Sequence, residues 1–583
     1  MKDLLLGNEA LARGAYEAGV KVAAAYPGTP STEITESLAL YPADEIYVEW
    51  SPNEKVALEV AIGASVAGAR AMVSMKHVGL NVAADPLFTS AYTGVNGGLV
   101  IVTADDPGLF SSQNEQDNRL YAQAAHIPML EPSDSQEAKD FAMLAFELSE
   151  RFDIPFLLRM TTRVSHARGL VELGERQNVP IKEYKKDINK YVMMPAMAKR
   201  RHYSLVERIS AVEAYSDECP LNRIEWGDRR VGIITDGITY QYAKEAMPDA
   251  SYLKIGMVYP LPKRLIKEFA AGVDKLYVIE ELEPFIEMSV KAMGIDVIGK
   301  EIFPVVDELN AEIVAKALLG HGFAAPEREE LAKQHVPVRP PVMCPGCPHR
   351  SVFYILSKLN LTVTGDIGCY TLGATAPLSA MDMCVCMGAS IGGALGMEKA
   401  RGKEWARKTV AVIGDSTFIH SGITGLIDMV YNKGTGTVVI LDNSTTGMTG
   451  HQDHPATGWT IRKEPTYKAS IEELARAAGV RRIKVVDPYE MAKMEDVIKE
   501  EVEADEPSVI IARRPCILLD KKRIYKPYSI DMDSCMGCEM CMHIGCPALE
   551  NVEGDFIIDA TQCSGCGVCA SLCAFGAIKE ADV

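Results

Sequence analysis

No stretch of this 583-residue chain approaches the ~18 consecutive apolar residues that a membrane-spanning helix requires. The opening Met1-Lys2-Asp3-Leu4-Leu5-Leu6-Gly7 has too short an apolar run, and the wrong flanks, for a secretory signal. Together these features predict a cytoplasmic protein with no membrane partner. Basic residues are in the minority, 60 Lys+Arg against 79 Asp+Glu, for a net charge of −19. That balance argues against a nucleic-acid partner, which would need a basic surface. Low-complexity tracts are missing, as is any internal repeat outside the final cysteine runs. The rest of the composition, 48% hydrophobic and 24% charged, is ordinary for a globular chain. The length predicts about three to five domains.

Cysteine is what the chain has in excess. There are 15, and eight of them fall between Cys535 and Cys573. The first run is Cys535-x2-Cys538-x2-Cys541-x4-Cys546-Pro547, and the second is Cys563-x2-Cys566-x2-Cys569-x3-Cys573-Ala574. Three thiolates on a tight loop grip three corners of a [4Fe–4S] cubane, and the fourth iron needs a ligand from elsewhere. In two-cluster ferredoxins the last cysteine of each run crosses to the other cluster. The spacing therefore predicts one cluster on Cys535, Cys538, Cys541 and Cys573, and a second on Cys563, Cys566, Cys569 and Cys546. Two details depart from the pattern: one extra residue precedes Cys546, and Ala574 stands where proline is usual. Zinc ribbons space their CxxC pairs more widely, and disulfides do not suit a reducing compartment. The segment 525–583 carries nine acids and two lysines, so the module's own surface is acidic.

Alternating strand and helix patterns fill the remainder and predict α/β layers. Leu99-Val100-Ile101-Val102-Thr103 reads as a buried strand, and Ala57 to Ala71 as a helix of small residues. Pro27-Gly28-Thr29-Pro30-Ser31-Thr32 reads as a turn into a helix capped by Ser31 or Thr32. Residues 176–230 lose periodicity and read as a connection. A second block contains the strands Val231–Thr235 and Leu276–Glu280 and ends near the charged stretch 326–335 and its following prolines. A third block runs to the basic linker 521–526. The expected organisation is 1–175, 176–230, 231–335, 336–524 and 525–583: three doubly wound α/β domains and a small two-cluster ferredoxin module.

In the third block, Thr409–Ile413 reads as a strand ending on Gly414-Asp415-Ser416, and Thr437–Leu441 as a strand ending on Asp442-Asn443-Ser444-Thr445. A helical stretch around Gly422–Asn432 joins them into a βαβ unit. Asp415 and Asn443 would then stand at the carboxyl ends of parallel strands, where open α/β sheets bind ligands. A carboxylate, an amide oxygen and a backbone carbonyl near Thr445 suit Mg²⁺, which is commonly held by a few oxygens and a substrate's phosphates. Amides around Gly447–Gly450 are candidates to face those phosphates.

Gly-Asp-x with Asn about thirty residues on resembles the diphosphate motif of thiamine diphosphate enzymes, with Ser416 and Asp442 in place of the usual Gly and Asn. Gly447-Met448-Thr449-Gly450-His451-Gln452 resembles the loop that follows it in 2-oxoacid:ferredoxin oxidoreductases. The first block is similar to that family's pyrimidine domain: Ala25-Tyr26-Pro27-Gly28-Thr29-Pro30, then Glu54 leading into Ala61–Ala71. The order of blocks most resembles the alpha subunits of the indolepyruvate branch of the family, with a transketolase C-terminal-like domain in second place.

The resemblance implies cofactor contacts from Gly414, Asp415, Ser416, Asn443, Thr445, Met448 and Thr449, with Mg²⁺ held by Asp415, Asn443 and Thr445. It implies a catalytic Glu54 bonded to the cofactor's aminopyrimidine ring. It implies oxidative decarboxylation of an aryl 2-oxoacid such as indolepyruvate to CO2 and an acyl-coenzyme A, with ferredoxin as acceptor. The family's gamma-type domain has no counterpart, which implies a smaller beta subunit and a hetero-oligomer with two copies of this chain. Another 2-oxoacid substrate, or an electron-transfer subunit with an inactive thiamine site, are the alternatives.

Cys344-Pro345-Gly346-Cys347, Cys369 and Cys516 resemble the four-cysteine proximal cluster of the pyruvate and oxoglutarate enzymes, with Pro348-His349 where those have glycine. A thiol pair or a buried structural cysteine is the bland alternative. Cys219, Cys384 and Cys386 read as structural. Where those relatives read roughly Thr-Ser-Gly-Pro-Gly, this chain has Met75-Lys76-His77-Val78-Gly79. Lys76 and His77 are candidates to bind a carboxylate and move protons, and Arg119 is a weaker carboxylate-binding candidate.

Overall fold

Runs of apolar and small residues become strands buried on both faces, as a parallel sheet covered by helices demands. Every residue of Ala71–Lys76, Leu99–Asp105 and Phe156–Thr161 is buried. In the computed structural model, which describes residues 1–320, 322, 340–519 and 526–581, the chain divides into two units, Met1–Val336 and Pro337–Val583. The charged stretch 326–335 and the linker residues 521–525, expected to divide blocks, lie outside the described residues.

In the first unit a seven-stranded sheet runs Met257–Tyr259, Met129–Leu130, Phe156–Thr161, Leu99–Asp105, Ala71–Lys76, Val22–Ala25, Tyr47–Trp50. All its pairs are parallel except that of Met257–Tyr259 with Met129–Leu130. That antiparallel strand comes from the second block, so the two blocks share a sheet edge. A second sheet orders Lys275–Ile279, Asp228–Asp236, Ala250–Ile255 and Arg223–Glu225.

The helix of small residues spans Glu54–Val66, capped by the Asn53 side chain accepting from Val56 N at 2.9 Å. It stops well before Ala71, which opens the next strand. Gly68 at φ +99° turns the chain out of the helix. At the other turn the helix is Thr32–Leu38, and the Ser31 hydroxyl donates back to Gly28 O instead of capping it. The segment expected as a bare connection contains a 22-residue helix, Pro195–Ser216. Its weak signal has a physical cause: only Leu205, Val212 and Ser216 are buried, so no wide apolar stripe marks it.

The second unit is built on an all-parallel sheet in the order Thr362–Thr364, Thr409–Gly414, Thr437–Asp442, Ser508–Arg513, Arg482–Val486. Alternate residues feed two cores. Ala411, Ile413, Val438, Ile440, Val509 and Ile511 face one, and Val410, Val412, Val439, Leu441, Ile510 and Ala512 the other. The second core continues into Ile544, Leu549 and Val568, with Cys541, Cys546, Cys566 and Cys569 packed against it. The cysteine-rich segment is thus joined to the sheet by shared apolar burial, each fully buried aliphatic side chain contributing roughly 1.5–3 kcal/mol. Two small antiparallel pairs, Tyr528–Ile530 with Ile578–Glu580 and the hairpin Leu549–Val552 with Asp555–Ile558, complete that segment.

Candidate active site

Asp415 stands at the end of Thr409–Gly414 and opens a helical turn, Asp415–Thr417, that passes into a π-helical turn, Phe418–Gly422. Such wide turns recur at functional sites. Asp415 is buried, with Oδ1 accepting from Ser416 N and Oδ2 from Ser444 N, both at 2.8 Å. His454 Nε2 lies 3.3 Å from Oδ2. Burial works to raise the Asp415 carboxyl, but His454 and the backbone amides hold it below the ordinary carboxylate range. It is an anion ready for a cation.

Asn443 ends the neighbouring strand's turn. Its Oδ1 position lies 2.7 Å from Thr445 O and 3.3 Å from Asp415 Oδ1. Three oxygens from a carboxylate, an amide and a carbonyl converge there. Turning the amide over would let its nitrogen donate to the other two. Hydrogen bonding alone favours that turned-over amide; a cation bound among the three oxygens would favour the oxygen inward, with Asn443 Nδ2 toward His349 Nε2 at 3.5 Å. Burial pushes His349 down to about 4, so its ring is neutral and free to accept from the amide. This donor set fits Mg²⁺ in type and number.

Asp442, in place of the usual asparagine, is tied off by Arg513, whose Nε donates to Oδ2 at 2.6 Å. Arg513 also makes a two-pronged contact with Glu472 at 2.7 and 2.9 Å. Burial and the neighbouring Asp415 push the Asp442 carboxyl upward. Gly414 N donates to Tyr370 Oη at 2.9 Å, and Ser416 Oγ accepts from Thr446 Oγ1 at 3.0 Å. Met448 is 52% exposed. Thr449 closes its loop on Gln452, donating to Oε1 at 2.6 Å and accepting from Nε2 at 2.8 Å.

The cysteines fall into three groups in this unit. Cys535, Cys538, Cys541 and Cys573 line one pocket with Met536, Met540, Phe556 and Phe575. Cys546, Cys563, Cys566 and Cys569 sit close enough for each thiol to feel its neighbours' charge, and burial pushes Cys569 up to about 12. Cys344, Cys347, Cys369 and Cys516 form the third group, where burial pushes Cys347 up to about 12 and Cys369 to about 11. Among the described residues no three His, Cys, Asp or Glu side chains close on a single metal ion. The third group adjoins the oxygen trio through the backbone, for Cys516 N donates to the main-chain carbonyl of Asn443 at 2.9 Å. Cys219 is buried, but Cys384 and Cys386 are exposed on a loop, which does not suit the structural role expected of them.

In the first unit Glu54 is the first residue of its helix and is buried. Its carboxylate lies over the turn of His77–Val82: a Cβ on Gly79 would meet Glu54 Oε1 and Cγ at 2.7 Å. Lys76 ends its strand buried, with Nζ donating to Ser111 O at 2.6 Å and Ser111 Oγ at 3.1 Å. Burial pushes its ammonium down to about 8, against the attraction of Asp106. His77 is fully buried, with Nε2 3.2 Å from Asn114 O and Nδ1 lacking a hydrogen-bond partner among the described residues.

Arg119 is not available to substrate. Its guanidinium is fully buried and bonded to Asp117, Asp236 at 2.9 Å and Glu280 at 2.7 Å, and to the carbonyls of Glu281 and Glu283. With Arg159, bound to Asp105 and Glu131 at 2.7 and 2.5 Å, it anchors a buried charge network in which burial pushes Glu131, Glu280 and Glu281 upward. Sequence reasoning missed these acids because they lie far apart along the chain. It also missed His349 and His454. His349 directly follows the Cys-Pro-Gly-Cys-Pro turn, and that proximity was the available signal.

Residues 13–218 match the family model described as pyruvate flavodoxin/ferredoxin oxidoreductase, thiamine diP-binding. Residues 366–512 match that of thiamine pyrophosphate enzymes, C-terminal TPP binding domain. The chain is 46% identical to indolepyruvate oxidoreductase subunit IorA of Archaeoglobus fulgidus, over 100% of this chain and 98% of that protein. It is 42% identical to the subunits of the same name from Methanothermobacter thermautotrophicus and Pyrococcus horikoshii, each alignment covering 99% of this chain and 97% of the relative. With such identity along nearly the whole length of both partners, the chain belongs to the indolepyruvate oxidoreductase subunit IorA family.

Proposed function

We propose that this chain is the thiamine-bearing and electron-carrying subunit of an enzyme that oxidatively decarboxylates aryl 2-oxoacids, indolepyruvate first among them, and passes the electrons to ferredoxin. The observation that carries this reading is the convergence of Asp415, Asn443 and Thr445 oxygens beside the Cys344/Cys347/Cys369/Cys516 group. A cofactor site and an electron-accepting site share one hydrogen bond there. Bound thiamine diphosphate supplies the electron sink for decarboxylation.

The chain's residues hold and orient it. Asp415, Asn443 and the Thr445 carbonyl would bind Mg²⁺ and through it the diphosphate, assisted by Gly414, Ser416, Met448 and Thr449. Glu54 would hold the aminopyrimidine ring. Lys76 is the group for the substrate carboxylate, with His77 beside it to hold or move a proton. The three cysteine groups would each hold a [4Fe–4S] cluster. Arg513 neutralises Asp442, which is why that departure from the usual motif is compatible with an active site.

The domain reading is a pyrimidine-binding domain over 1–175, a transketolase C-terminal-like domain over 231–335, a diphosphate-binding domain over 336–524 and a two-cluster ferredoxin module over 525–583. A smaller subunit carrying the gamma-type domain, coenzyme A as acyl acceptor and two copies of this chain complete the enzyme. The test is anaerobic assay of the chain co-purified with its companion subunit: thiamine, magnesium, iron and sulfide content, and coenzyme A-dependent ferredoxin reduction with indolepyruvate, phenylpyruvate, pyruvate and 2-oxoglutarate. Faster turnover of either small oxoacid would overturn the substrate assignment.

A further inference from the structure

Arg350 occupies the space between two of the cysteine groups. It lies in the first turn of His349–Lys358 and is buried. Among the described residues, every hydrogen bond its guanidinium makes is to a backbone carbonyl. Nε donates to Cys344 O at 3.1 Å, Nη2 to Met343 O, and Nη1 to Ile544 O at 3.3 Å and to Gly545 O. Met343 and Cys344 belong to the loop that opens the Cys344/Cys347/Cys369/Cys516 group, and Ile544 and Gly545 immediately precede Cys546 of the second-run group. One side chain therefore ties the two groups together. The thiols whose charge acts on it come from both, Cys344 and Cys347 on one side and Cys546 and Cys566 on the other.

The two loops also touch directly. Gly346 has φ +68°, and a Cβ there would fall 2.0 Å from Ser564 Oγ, between Cys563 and Cys566. Tyr489 Oη donates to Gly346 O at the same contact. Close approach needs no cation, so the guanidinium calls for a further explanation. Among the described residues no carboxylate is bonded to it. Among the described residues the charges that act on it most are those of cysteines from both groups, at a buried site where a unit charge acts strongly on its neighbours.

We propose that Arg350 sets the reduction potentials of the two clusters it lies between, holding both higher than the thiolates and burial alone would, so that an electron leaving the cofactor-side cluster finds an acceptor of matched potential. This rests on the reading that Cys344, Cys347, Cys369 and Cys516 hold a cluster. Each transfer moves one electron from one cage to the next, with no bond made or broken and no proton required. The guanidinium stabilises whichever cage holds the added negative charge, and it does so for both because it contacts both. Arginine suits the place: its charge is permanent and its fork holds several carbonyls at once.

The experiment is an EPR-monitored redox titration of the full complex, wild type against Arg350→Met, Arg350→Gln and Arg350→Lys, with iron and sulfide measured on each sample. In Arg350→Gln, at a fixed ambient potential, the reduced-to-oxidised ratio of two of the three clusters should fall about tenfold, equivalent to about 59 mV for one electron. The cluster on Cys535, Cys538, Cys541 and Cys573 should not move, and Arg350→Lys should keep all ratios near wild type. Should Arg350→Met lose iron, the Gln and Lys pair still decides, since both keep a polar side chain and differ in charge. Unchanged ratios in iron-replete Arg350→Gln would overturn the proposal, as would equal shifts in Gln and Lys. Iron near eight per chain in the wild type would instead remove the third cluster, and with it the underlying reading, whatever the potentials do.

Discussion

The backbone amide of Cys516 donates to the carbonyl oxygen of Asn443 across 2.9 Å. One residue is the last of four cysteines gathered from across the second unit, and the other offers its side-chain oxygen to the trio fitted to Mg²⁺. The bond comes from the two chain segments that leave neighbouring parallel strands, Thr437–Asp442 and Ser508–Arg513, in register. The proposed cofactor site and the proposed first cluster site are thus adjacent because their strands are adjacent. Cys516→Ser should lower iron from about twelve to about eight per chain while thiamine diphosphate still binds. Iron and thiamine content on the same sample checks both halves.

Asp415→Ala removes the one charged oxygen of the trio. Magnesium-dependent thiamine diphosphate affinity should fall by more than the ~100-fold that loss of an outer-shell partner costs. Titration of the apoenzyme with cofactor, with and without Mg²⁺, measures it; a metal-dependent affinity that survives would displace the site.

Arg513 is bonded to both Asp442 and Glu472. Arg513→Met should destabilise the protein by about 1–3 kcal/mol, the cost of leaving a buried charged partner unsatisfied. In an Asp442→Asn background, which restores the family's usual residue, the same change should cost less, because only the Glu472 contact is then lost. A double-mutant cycle by thermal unfolding reports the difference.

Glu54→Gln should leave thiamine diphosphate bound and slow turnover about 100-fold or more, the scale of a positioned acid–base group. Gly79→Ala is the structural counterpart, because its methyl would meet the Glu54 carboxylate at 2.7 Å. Both variants should bind cofactor near wild-type levels and fail in the same step. A fully active Gly79→Ala enzyme would show that the Glu54 position is not needed as it stands.

Lys76 links pH to stability and, in its proposed role, to substrate binding. Its ammonium is pushed from 10.5 to about 8 in the folded chain. Between those values the unfolded state holds the extra proton, so stability rises with pH across that window and the burial penalty is fully present below it. Lys76→Met should flatten that rise, seen in denaturant unfolding from pH 7 to 10. With the charged form binding the substrate carboxylate, kcat/KM should fall above about pH 8 in the wild type.

Much of this chain is readable from local pattern. The buried strands at Leu99–Asp105, Thr409–Gly414 and Thr437–Asp442 announce themselves as apolar runs, and the turns that follow them carry Asp415 and Asn443. The helix Pro195–Ser216 escaped because its contacts are few and its exposed face dominates its composition. The end of the helix Glu54–Val66 escaped because Ala and Gly suit a buried strand as well as a close-packed helix. Cys384 and Cys386 lack motif spacing, and sequence alone gave no sign that their loop lies at the surface.

What the sequence by itself determined is the chemistry available: cysteine runs whose spacing suits iron–sulfur ligation, and an acid and an amide at two strand ends. Those signals are local, and local signals survive in one dimension. Tertiary structure alone decided how they combine. It gathered Cys344, Cys347, Cys369 and Cys516 from distant segments, set His349 against Asn443, spent Arg119 on a buried acid network, and laid Arg350 between two cysteine groups. Such contacts depend on which strands neighbour one another and which side chains must share a dry interior. There an unpaired charge is costly enough to select its partner.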